Sequence, residues 1–441
     1  MSAASVAEHV ANSNRPARIW LTACVAVLVL APMAAPVILA LAAAPLLAAR
    51  LPGMDAFARR PTAVSGVLLV AAAYLFVNAS WSLSPSAAYA SAAMFAGVVG
   101  VVTLANLVLP ESDDQLLRAM SIGLCAALLA GGAFVCLEVF TAQAVMRTLT
   151  TFVPALRPDG RHMVLENGWV TSRVPHLLNR SLTIITLLFW PALLLISVGL
   201  GLSGRSRVWL LLAFVPLAAA ILGSSHGTSM IALAGGALTF SLFAAAPGLT
   251  RRLVIVGWAA ATLLVVPAAS LAYSSGLYQS KWLVKTAQHR VVIWGYTSEQ
   301  IAKAPWLGIG LGSTRALFHD KTQVREVAPG SDFERTAHWH THNGYLQTWY
   351  EAGAVGALLL FAIGLAVLRS ISRLAPAAQP YMHAAFVSSA LMAASSFSLW
   401  QAWFLASFGI TAVLCAVAIH CTGHRVAAER DASVTNAATS G

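Results

Sequence analysis

Apolar runs of about twenty residues recur from one end of this chain to the other, and they constrain its fold more than any other feature. The chain has 441 residues, of which 58% are hydrophobic and 10% charged, and its mean hydropathy is +0.75. Helices of this length and polarity can cross the hydrocarbon core of a bilayer. We therefore predict an all-α polytopic membrane protein rather than a soluble fold.

Charged and Pro/Gly-rich breaks divide the apolar sequence into about twelve predicted transmembrane helices. The runs lie near residues 18–31, 34–49, 62–79, 87–109, 116–140, 177–202, 206–223, 228–246, 253–275, 343–368, 380–397 and 402–420. The first two are short and separated by APMAAP, so one kinked helix, giving eleven spans, is the alternative. Arg15 and Arg18 precede the first run and further spans follow it, which predicts an uncleaved helix rather than a signal peptide.

The distribution of basic residues predicts which side of the membrane each segment faces. One set of segments carries fourteen of the 27 Lys and Arg residues: Arg15, Arg18, Arg50, Arg59, Arg60, Arg118, Arg205, Arg207, Arg251, Arg252, Arg369, Arg373, Arg425 and Arg430. The short loops on the other side, NASWSLSPS, GSSHGTS and SFSLWQAW, carry none. Because basic residues hold short loops in the cytoplasm, both termini are predicted to be cytoplasmic.

This topology divides the chain into seven segments, two of them long and on the outer side. They are a cytoplasmic tail 1–17, membrane helices 18–140, an outer segment 141–176, membrane helices 177–275, an outer segment 276–342, membrane helices 343–420 and a cytoplasmic tail 421–441. Thirteen basic and seven acidic residues lie in or beside the outer segments, and eight of the twelve histidines lie on that side. A cationic, histidine-rich surface suits a lipid-linked phosphate or pyrophosphate, although solvated loop charges are the simpler interpretation.

The overall charge and the cysteines narrow the partners further. A formal net charge of +11 would suggest nucleic acid in a soluble protein, but here the basic residues lie mainly in loops between spans. We therefore expect membrane lipids or an anionic substrate as partners, and no nucleic acid. The five cysteines lie in apolar stretches or just after the last one and lack metal-finger spacing, so a disulfide framework is not expected.

The second outer segment contains an amphipathic stretch followed by closely spaced glycines. Residues 285–303 predict a helix along the outer surface, with Val292, Ile293 and Trp294 toward lipid. Gly308 and Gly310 then begin a G-x-G-x-G run that no strand precedes, so it is weak support for a nucleotide site. Its glycines are predicted to allow the backbone to approach a substrate or another helix closely.

Two arginines stand at the edges of predicted helices. Arg290 is near the start of the amphipathic stretch, and Arg180 is at or just inside the start of a span. An arginine in such a position either snorkels to the lipid head groups or neutralises a buried anion. Glu138 and Glu351 are the acidic counterparts at span edges, and either could pair with one of these arginines.

The sequence HWHTHN places His338, His340 and His342 at alternate positions. In an extended segment all three would point to one side, which could provide a zinc site, a general base for a hydroxyl group, or only surface polarity. One short segment rarely supplies all three zinc ligands, so we favour a base and predict no metal site. Asn343 is a plausible N-cap for the span that follows, whose free N–H groups would then face an anion.

Together these motifs resemble the O-antigen ligase branch of the O-antigen ligase and polymerase superfamily. The resemblance rests on His340-x-His342-Asn343-x-x-Leu346-Gln347, Glu351-x-Gly353-x-x-Gly356, Arg290-x-x-x-Trp294, Pro305-x-Leu307-Gly308-x-Gly310 and Asn179-Arg180. It covers most of the chain from about 175 to 365, whereas the N-terminal third matches only as generic membrane helices.

The resemblance implies a GT-C-like glycosyltransferase of the bacterial inner membrane with a periplasmic active site. Such enzymes transfer O-antigen from undecaprenyl diphosphate to the lipid A-core oligosaccharide, without a cofactor or metal. Matched residue by residue, His340 or His342 would be the general base, and Arg290 and Arg180 would bind the pyrophosphate. The role of His338 stays open, and His226 stands near the place where many relatives carry an arginine.

Other functions remain possible on the sequence alone. An O-antigen polymerase or a protein O-oligosaccharyltransferase would use the same donor, and a transporter or flippase is a third class. Transporters tend to show internal repeats and broken helices, whereas this chain collects its polar residues in two unequal outer segments. No paired carboxylates are evident in those segments, so direct attack with inversion is expected rather than double displacement.

Overall fold

The computed structural model describes residues 15–49, 62–320, 326–395 and 397–439, and these are mostly helical. The helices are α1 Arg15–Leu30, α2 Ala35–Ala49, α3 Ala63–Asn78, α4 Pro85–Val108, α5 Asp114–Phe140, α6 Ala144–Phe152, α7 Asn179–Leu194, α8 Gly204–Leu212, α9 Val215–Leu222, α10 Gly227–Ala245, α11 Pro247–Leu263, α12 Val265–Ser274, α13 Lys285–Lys303, α14 Ser313–His319, α15 Gly344–Ile371, α16 Gln379–Ser395 and α17 Ala402–Thr439. Two antiparallel pairs complete the fold: β1 Met163–Glu166 with β2 Trp169–Arg173, and β3 Glu326–Val327 with β4 Glu334–Arg335. Arg50, Arg59 and Arg60 and most of segment 1–17 lie outside the described residues.

The predicted all-α polytopic architecture is confirmed. In the described part of the chain, eight helical segments are long and apolar enough to cross a membrane. The consecutive helices α11 and α12 meet at 68° and make a ninth span if they are counted as one bent segment. The remaining predicted spans are also helical but shorter, since α1, α2 and α16 have 16, 15 and 17 residues.

The APMAAP break separates α1 and α2 into a helical hairpin. Pro32–Ala34 forms a single 3₁₀ turn between them. The Trp20 indole N–H near the start of α1 donates to the Leu41 carbonyl of α2 over 2.8 Å, so the two helices run antiparallel. This arrangement favours two separate segments over one kinked helix.

Helix α7 lies at the centre of the bundle and is buried along most of its length. Its Trp190 indole N–H donates to Ser388 Oγ of α16 over 2.9 Å, and Ser388 in turn donates to the Ala232 carbonyl of α10 over 2.8 Å. These bonds tie three helices together inside the apolar core. The start of α7, and therefore Arg180, is thus held on a packed element.

The first outer segment folds onto the end of α5. Glu138 is fully buried, and its Oε1 accepts the Val145 N–H of α6 over 2.9 Å. The Glu138 carboxylate therefore satisfies backbone donors at the start of α6, and it forms no ion pair with Arg180 or Arg290 among the described residues. The β1–β2 hairpin follows and leads into α7.

Helix α15 is broken at Gly353, and the G-x-G segment lies in the break. Gly353 has φ 64° and ψ −165°, which leaves backbone groups on either side of it available. The N–H groups of Ile309 and Gly310 donate to the carbonyls of Tyr350 and Glu351 over 3.0 and 2.9 Å. A close approach of this loop to another helix, as predicted for its glycines, is therefore confirmed.

Replacing Gly308 by alanine is expected to destabilise this docked loop. Gly308 has φ 68°, and an added Cβ would lie 2.5 Å from the Glu351 carbonyl carbon, so strain and a backbone clash combine. Gly168→Ala is the matched control, because Gly168 has φ 82° but nothing within 4 Å of an added Cβ. Thermal unfolding of the purified protein should show a loss of several degrees for Gly308→Ala and about a third of that for Gly168→Ala. Equal losses would contradict the docking.

Helix α13 has the predicted bounds, but its apolar side does not face lipid. Val292 is completely buried and Ile293 is 2% exposed. Val292 packs with Tyr278 and Ala328, and the Trp294 indole N–H donates to the Thr341 carbonyl over 2.9 Å. The prediction of a lipid-facing surface helix was therefore wrong, because the long outer segment folds back and covers this side of α13.

Candidate active site

A cavity of about 550 Å³ opens at the end of the bundle where α7 and α15 begin. Its walls come from the start of α7, the start of α14, the histidine segment 338–342, the first two turns of α15 and the turn before α17. The lining residues are Met33, Ala87, Ser91, Arg180, Gly312, Arg315, Trp339, His340, Gln347, Glu351, Ser398, Trp400, Gln401, Ala402 and Trp403. The second predicted outer segment, the start of α4 and the turns at 31–34 and 397–401 therefore meet at one end of the molecule.

Two arginines line this cavity, each beside an aromatic ring. The Arg180 guanidinium lies 5.7 Å from the centroid of the Trp403 ring, and Arg315 lies 5.5 Å from that of Trp339. Contacts of this kind hold a cation while leaving its hydrogen-bond donors available. Neither arginine forms an ion pair within the described ranges, so both charges are available to a ligand.

Arg290 lies just outside the cavity lining and acts on it electrostatically. Burial lowers the pKa of its guanidinium. Its positive charge contributes to lowering the pKa of His226 and of His340, each to about 4, with burial as the larger cause for both. The fold thus places Arg290 close enough to His226 and His340 for its charge to act on both.

His226 is buried at the start of α10, in the turn that faces the cavity end. Its Nδ1 lies 2.7 Å from Ser229 Oγ, and its ring lies 6.1 Å from that of Phe397. It does not line the cavity. Its contribution to substrate binding stays a prediction. Its one link to the cavity is that the charge of Arg290 lowers the pKa of both His226 and His340.

The histidine segment is not extended, in contrast to the alternating arrangement that we predicted. His342 has φ 53°, a left-handed conformation that is uncommon for a residue with a side chain. Thr341 holds it there, because Thr341 Oγ1 donates to the Asn343 carbonyl over 2.6 Å and accepts the Asn343 N–H over 3.2 Å. The rings still cluster, with centroids 4.0 Å apart for His340 and His342 and 5.4 Å apart for His338 and His342.

The turn at His342 determines the hydrogen-bonding state of His340. The His342 backbone N–H donates to Nδ1 of His340 over 3.1 Å, so Nδ1 is an acceptor and carries no proton. Burial, together with the charges of His338 and Arg290, lowers the pKa of His340 to about 4 and keeps the ring neutral at ordinary pH. The single ring proton is therefore on Nε2, and His340 is a hydrogen-bond donor through that atom.

Asn343 caps α15, as predicted. Its side-chain oxygen accepts the N–H groups of Tyr345 and Leu346 over 3.0 and 3.1 Å. Those two donors are consequently occupied, so the expectation that they face an anion was wrong. Asn343 orients the start of α15 and does not line the cavity, and its substrate-binding role stays a prediction.

Glu351 is completely buried and is the acidic residue of the lining set. Its Oε1 accepts the Thr314 N–H over 3.1 Å, and Gln347 Nε2 lies 3.4 Å from Oε2. It does not pair with Arg180 or Arg290 in the described part of the molecule. The carboxylate instead holds α14, and with it Arg315, against α15.

Among the predicted site residues, only Arg180 and His340 line the cavity. Gly308 and Gly310 pack against the α15 break and Ser82 and are not part of the lining, so their substrate-binding role stays untested. Sequence reasoning missed Arg315, Gln347 and the uncharged outer turn SFSLWQAW, whose two tryptophans were the available signal. No group of three or more His, Cys, Asp or Glu residues in the described ranges has metal-binding geometry.

The two strongly shifted histidines predict that stability falls in mild acid. Unfolded histidine has a pKa of about 6.5, whereas His226 and His340 have a pKa of about 4, so the unfolded chain binds more protons between these values. The melting temperature should therefore drop by several degrees between about pH 7 and pH 5. His226→Gln should reduce this dependence, and exposed His319→Gln should leave it unchanged, as measured by scanning fluorimetry. Identical slopes in all three proteins would contradict the assignment.

Comparison with known proteins shows which family this chain resembles. Residues 211–361, from α9 to the middle of α15, match the model of a family described as O-antigen ligase. A protein described as a candidate polysaccharide ligase from Rickettsia conorii is 23% identical over 250 residues, 55% of this chain and 59% of that protein. These matches support the resemblance to the O-antigen ligase family.

Two further relatives match this chain at a similar level of sequence identity. A candidate polysaccharide ligase from Rickettsia felis is 21% identical over 249 residues, 56% of this chain and 59% of that protein. One from Rickettsia bellii is 26% identical over 187 residues, 41% of this chain and 44% of that protein. The chain thus spans about three fifths or less of these relatives. The region matched to the O-antigen ligase family contains Arg290, Arg315, the histidine segment and Glu351.

Proposed function

We propose that this protein is an O-antigen ligase of the bacterial inner membrane, with both termini cytoplasmic and the cavity periplasmic. It transfers polysaccharide from undecaprenyl diphosphate to the lipid A-core oligosaccharide, by inverting glycosyl transfer that needs no metal. The family match supports a polysaccharide ligase. The donor and the acceptor are inferred from the resemblance, and the site residues and the mechanism are inferred from the cavity.

One observation carries the proposal: Arg180 and Arg315 line the cavity, with Arg290 beside it, and none of the three forms an ion pair in the described part of the chain. Placing cations together costs free energy unless an anion arrives to offset their repulsion. A diphosphate carries charge enough for two or three guanidinium groups, and their planar donors match its oxygens in pairs. These arginines can also stabilise the charge that develops as the diphosphate leaves.

The proposed reaction is a direct displacement of the diphosphate by the acceptor. An acceptor hydroxyl attacks the anomeric carbon of the donor sugar, a new carbon–oxygen bond forms, and the bond from that carbon to the phosphate oxygen breaks. The hydroxyl proton passes to a histidine nitrogen, and undecaprenyl diphosphate leaves with the electron pair. A single displacement of this kind inverts the anomeric configuration.

In this proposal the two neighbouring histidines have different roles. His340 has its Nδ1 occupied by the His342 N–H and its proton on Nε2, so it is set to donate to a sugar or phosphate oxygen. We therefore assign the general base to His342, which does not line the cavity itself but whose ring lies 4.0 Å from that of the lining residue His340. The ring of His338 contacts the rings of both His289 and His342, so His338 packs against the proposed base.

The test is a transfer assay with purified protein, lipid-linked O-antigen and lipid A-core oligosaccharide, run with and without EDTA. Transfer that survives chelation supports the proposal. Activity that is lost to EDTA and restored by zinc would remove the metal-free mechanism. If the lipid-linked donor grows while the lipid A-core stays unmodified, the enzyme is a polymerase, and glycan transferred to protein would identify an oligosaccharyltransferase.

A further inference from the structure

The first outer segment exposes apolar side chains and buries polar ones. Val145, Leu149 and Phe152 follow one another at helical spacing along one side of α6, and all three are exposed, Phe152 by 68%. On the opposite side, Thr150 is completely buried. A helix that meets water turns its polar side outward, so the face formed by Val145, Leu149 and Phe152 (the α6 face) requires an apolar partner.

The polar side of α6 is fixed to the β1–β2 hairpin. Thr151 Oγ1 accepts the Val170 N–H over 2.9 Å, and Arg147 Nη1 donates to the Thr171 carbonyl over 2.8 Å. These bonds determine which way α6 is turned. The α6 face therefore points away from the protein in the described part of the chain.

Charged side chains pair the free backbone groups at both ends of α6. At its start, Glu138 Oε1 accepts the Val145 N–H over 2.9 Å. At its end, Arg157 Nε and Nη2 donate to the carbonyls of Thr150 and Thr151 over 2.9 and 3.0 Å. Water can pair such groups on an exposed helix, whereas a helix in contact with lipid must pair them within the protein. The pairing at both ends therefore favours lipid over water beside α6.

The α6 face follows directly on the exposed end of a membrane helix. Helix α5 is long and apolar enough to cross a membrane, and Leu137 and Phe140 in its last turn are exposed. Only residues 141–143 separate α5 from α6. Gln143 Nε2 in this turn donates to the Val174 carbonyl over 3.0 Å, shortly before α7. Helix α6 is therefore at the end of the bundle where α7 begins and the cavity opens.

We propose that α6 lies in the membrane–water interface at the cavity end of the bundle, with Leu149 and Phe152 inserted among the lipid chains of that leaflet. Phe152 also contacts Trp169 of β2, with ring centroids 5.5 Å apart, and Trp169 is itself exposed. Aromatic side chains are enriched where a bilayer meets water, and amphipathic helices lie in the plane of that interface. The inference concerns the membrane contact and does not depend on the reaction in the cavity.

The chain offers a matched control on each side of this comparison. Val327 of β3 is apolar and 60% exposed, but Glu326 precedes it and Glu334 is its partner on β4. Carboxylates are costly to place in lipid, so Val327 is expected to face water. Phe140, at the end of α5 and 62% exposed, is the control for a side chain that faces lipid.

The test is photocrosslinking of the full-length protein in nanodiscs of phosphatidylethanolamine and phosphatidylglycerol. Benzoylphenylalanine is placed at one position at a time, that of Leu149, Phe152, Phe140 or Val327, and adducts are identified by mass spectrometry after irradiation. Burial of a side chain of this size favours the lipid-covered state at least about tenfold, so lipid adducts at Leu149 and Phe152 should exceed those at Val327 by about that factor. They should be comparable with those at Phe140. Probing Leu149 separately keeps the test decisive if the change at Phe152 prevents folding.

Three results would overturn the proposal. Lipid adducts that are as abundant at Val327 as at Leu149 and Phe152 would mean that exposure alone explains them. Adducts at Phe140 but none at Leu149 or Phe152 would mean that α6 faces water. The same proteins are also irradiated in the membranes of the cells that produce them, where a protein adduct in place of the lipid adduct would identify a protein as the partner of the α6 face.

Discussion

Replacing Arg290 by glutamine is expected to lower the rate of glycan transfer by about 10²–10³-fold, and replacing Arg180 by glutamine should have an effect of the same order. This is the size of loss seen when one preorganised electrostatic donor is removed from an enzyme site. Glutamine keeps a polar side chain with an N–H₂ donor group but removes the charge and shortens the side chain. Initial rates of transfer to lipid A-core oligosaccharide measure the effect.

Arg290 should differ from Arg180 in a second property. Its charge helps to keep the pKa of His226 and His340 at about 4, so Arg290→Gln should raise both pKa values, whereas no such contribution from Arg180 is present. The fall in melting temperature between pH 7 and pH 5 should therefore become smaller in Arg290→Gln only. A loss of activity without this change would show that the electrostatic link to the histidines is absent.

Arg161→Gln is the matched control for charge. Arg161 lies on the first outer segment with its side chain 84% exposed, and it pairs with Asp159 at 2.9 Å. Its removal changes the net charge by the same amount but should alter transfer less than about twofold, since surface ion pairs contribute little. A large loss in this variant would mean that the overall charge of the outer face, rather than the cavity arginines, determines activity.

The sequence predicted the features of this fold that depend on local patterns. Apolar runs of span length became helices, the apolar periodicity of residues 285–303 became α13, and Asn343 before a helical pattern became its N-cap. Each of these depends on residues close together along the chain, which is why one sequence suffices to predict them.

The missed features depend on contacts between residues far apart in sequence. Gln347 is hydrogen-bonded to Ser398, and Glu351 is hydrogen-bonded to Thr314. These partners are far apart in sequence, so the periodicity of a helix or strand cannot predict the contacts. The lipid-facing side predicted for α13 was wrong for a related reason. An apolar helix face looks the same in sequence whether lipid or another part of the same protein covers it.

His342→Gln is expected to lower transfer by about 10²–10⁴-fold, the usual contribution of a general base, whereas His340→Gln should keep activity within about tenfold of wild type. Glutamine cannot take up a proton, so it cannot replace a base. It can donate a hydrogen bond from its amide nitrogen, and that is the role that the occupied Nδ1 leaves to His340. Exposed His319→Gln, whose ring contacts Trp339 without lining the cavity, is the control and should be unchanged.

The two histidine variants together test whether backbone geometry assigns the roles. The His342 N–H reaches His340 because His342 holds φ 53°, a conformation stabilised by Thr341 Oγ1. Thr341→Val would remove that support, so His340 would lose its fixed tautomer and the transfer rate should fall, with substrate binding to the arginines retained. If His340→Gln is the inactive variant and His342→Gln the active one, the assignment is reversed: His340 must then change tautomer during the reaction, and its hydrogen bond with the His342 N–H must break.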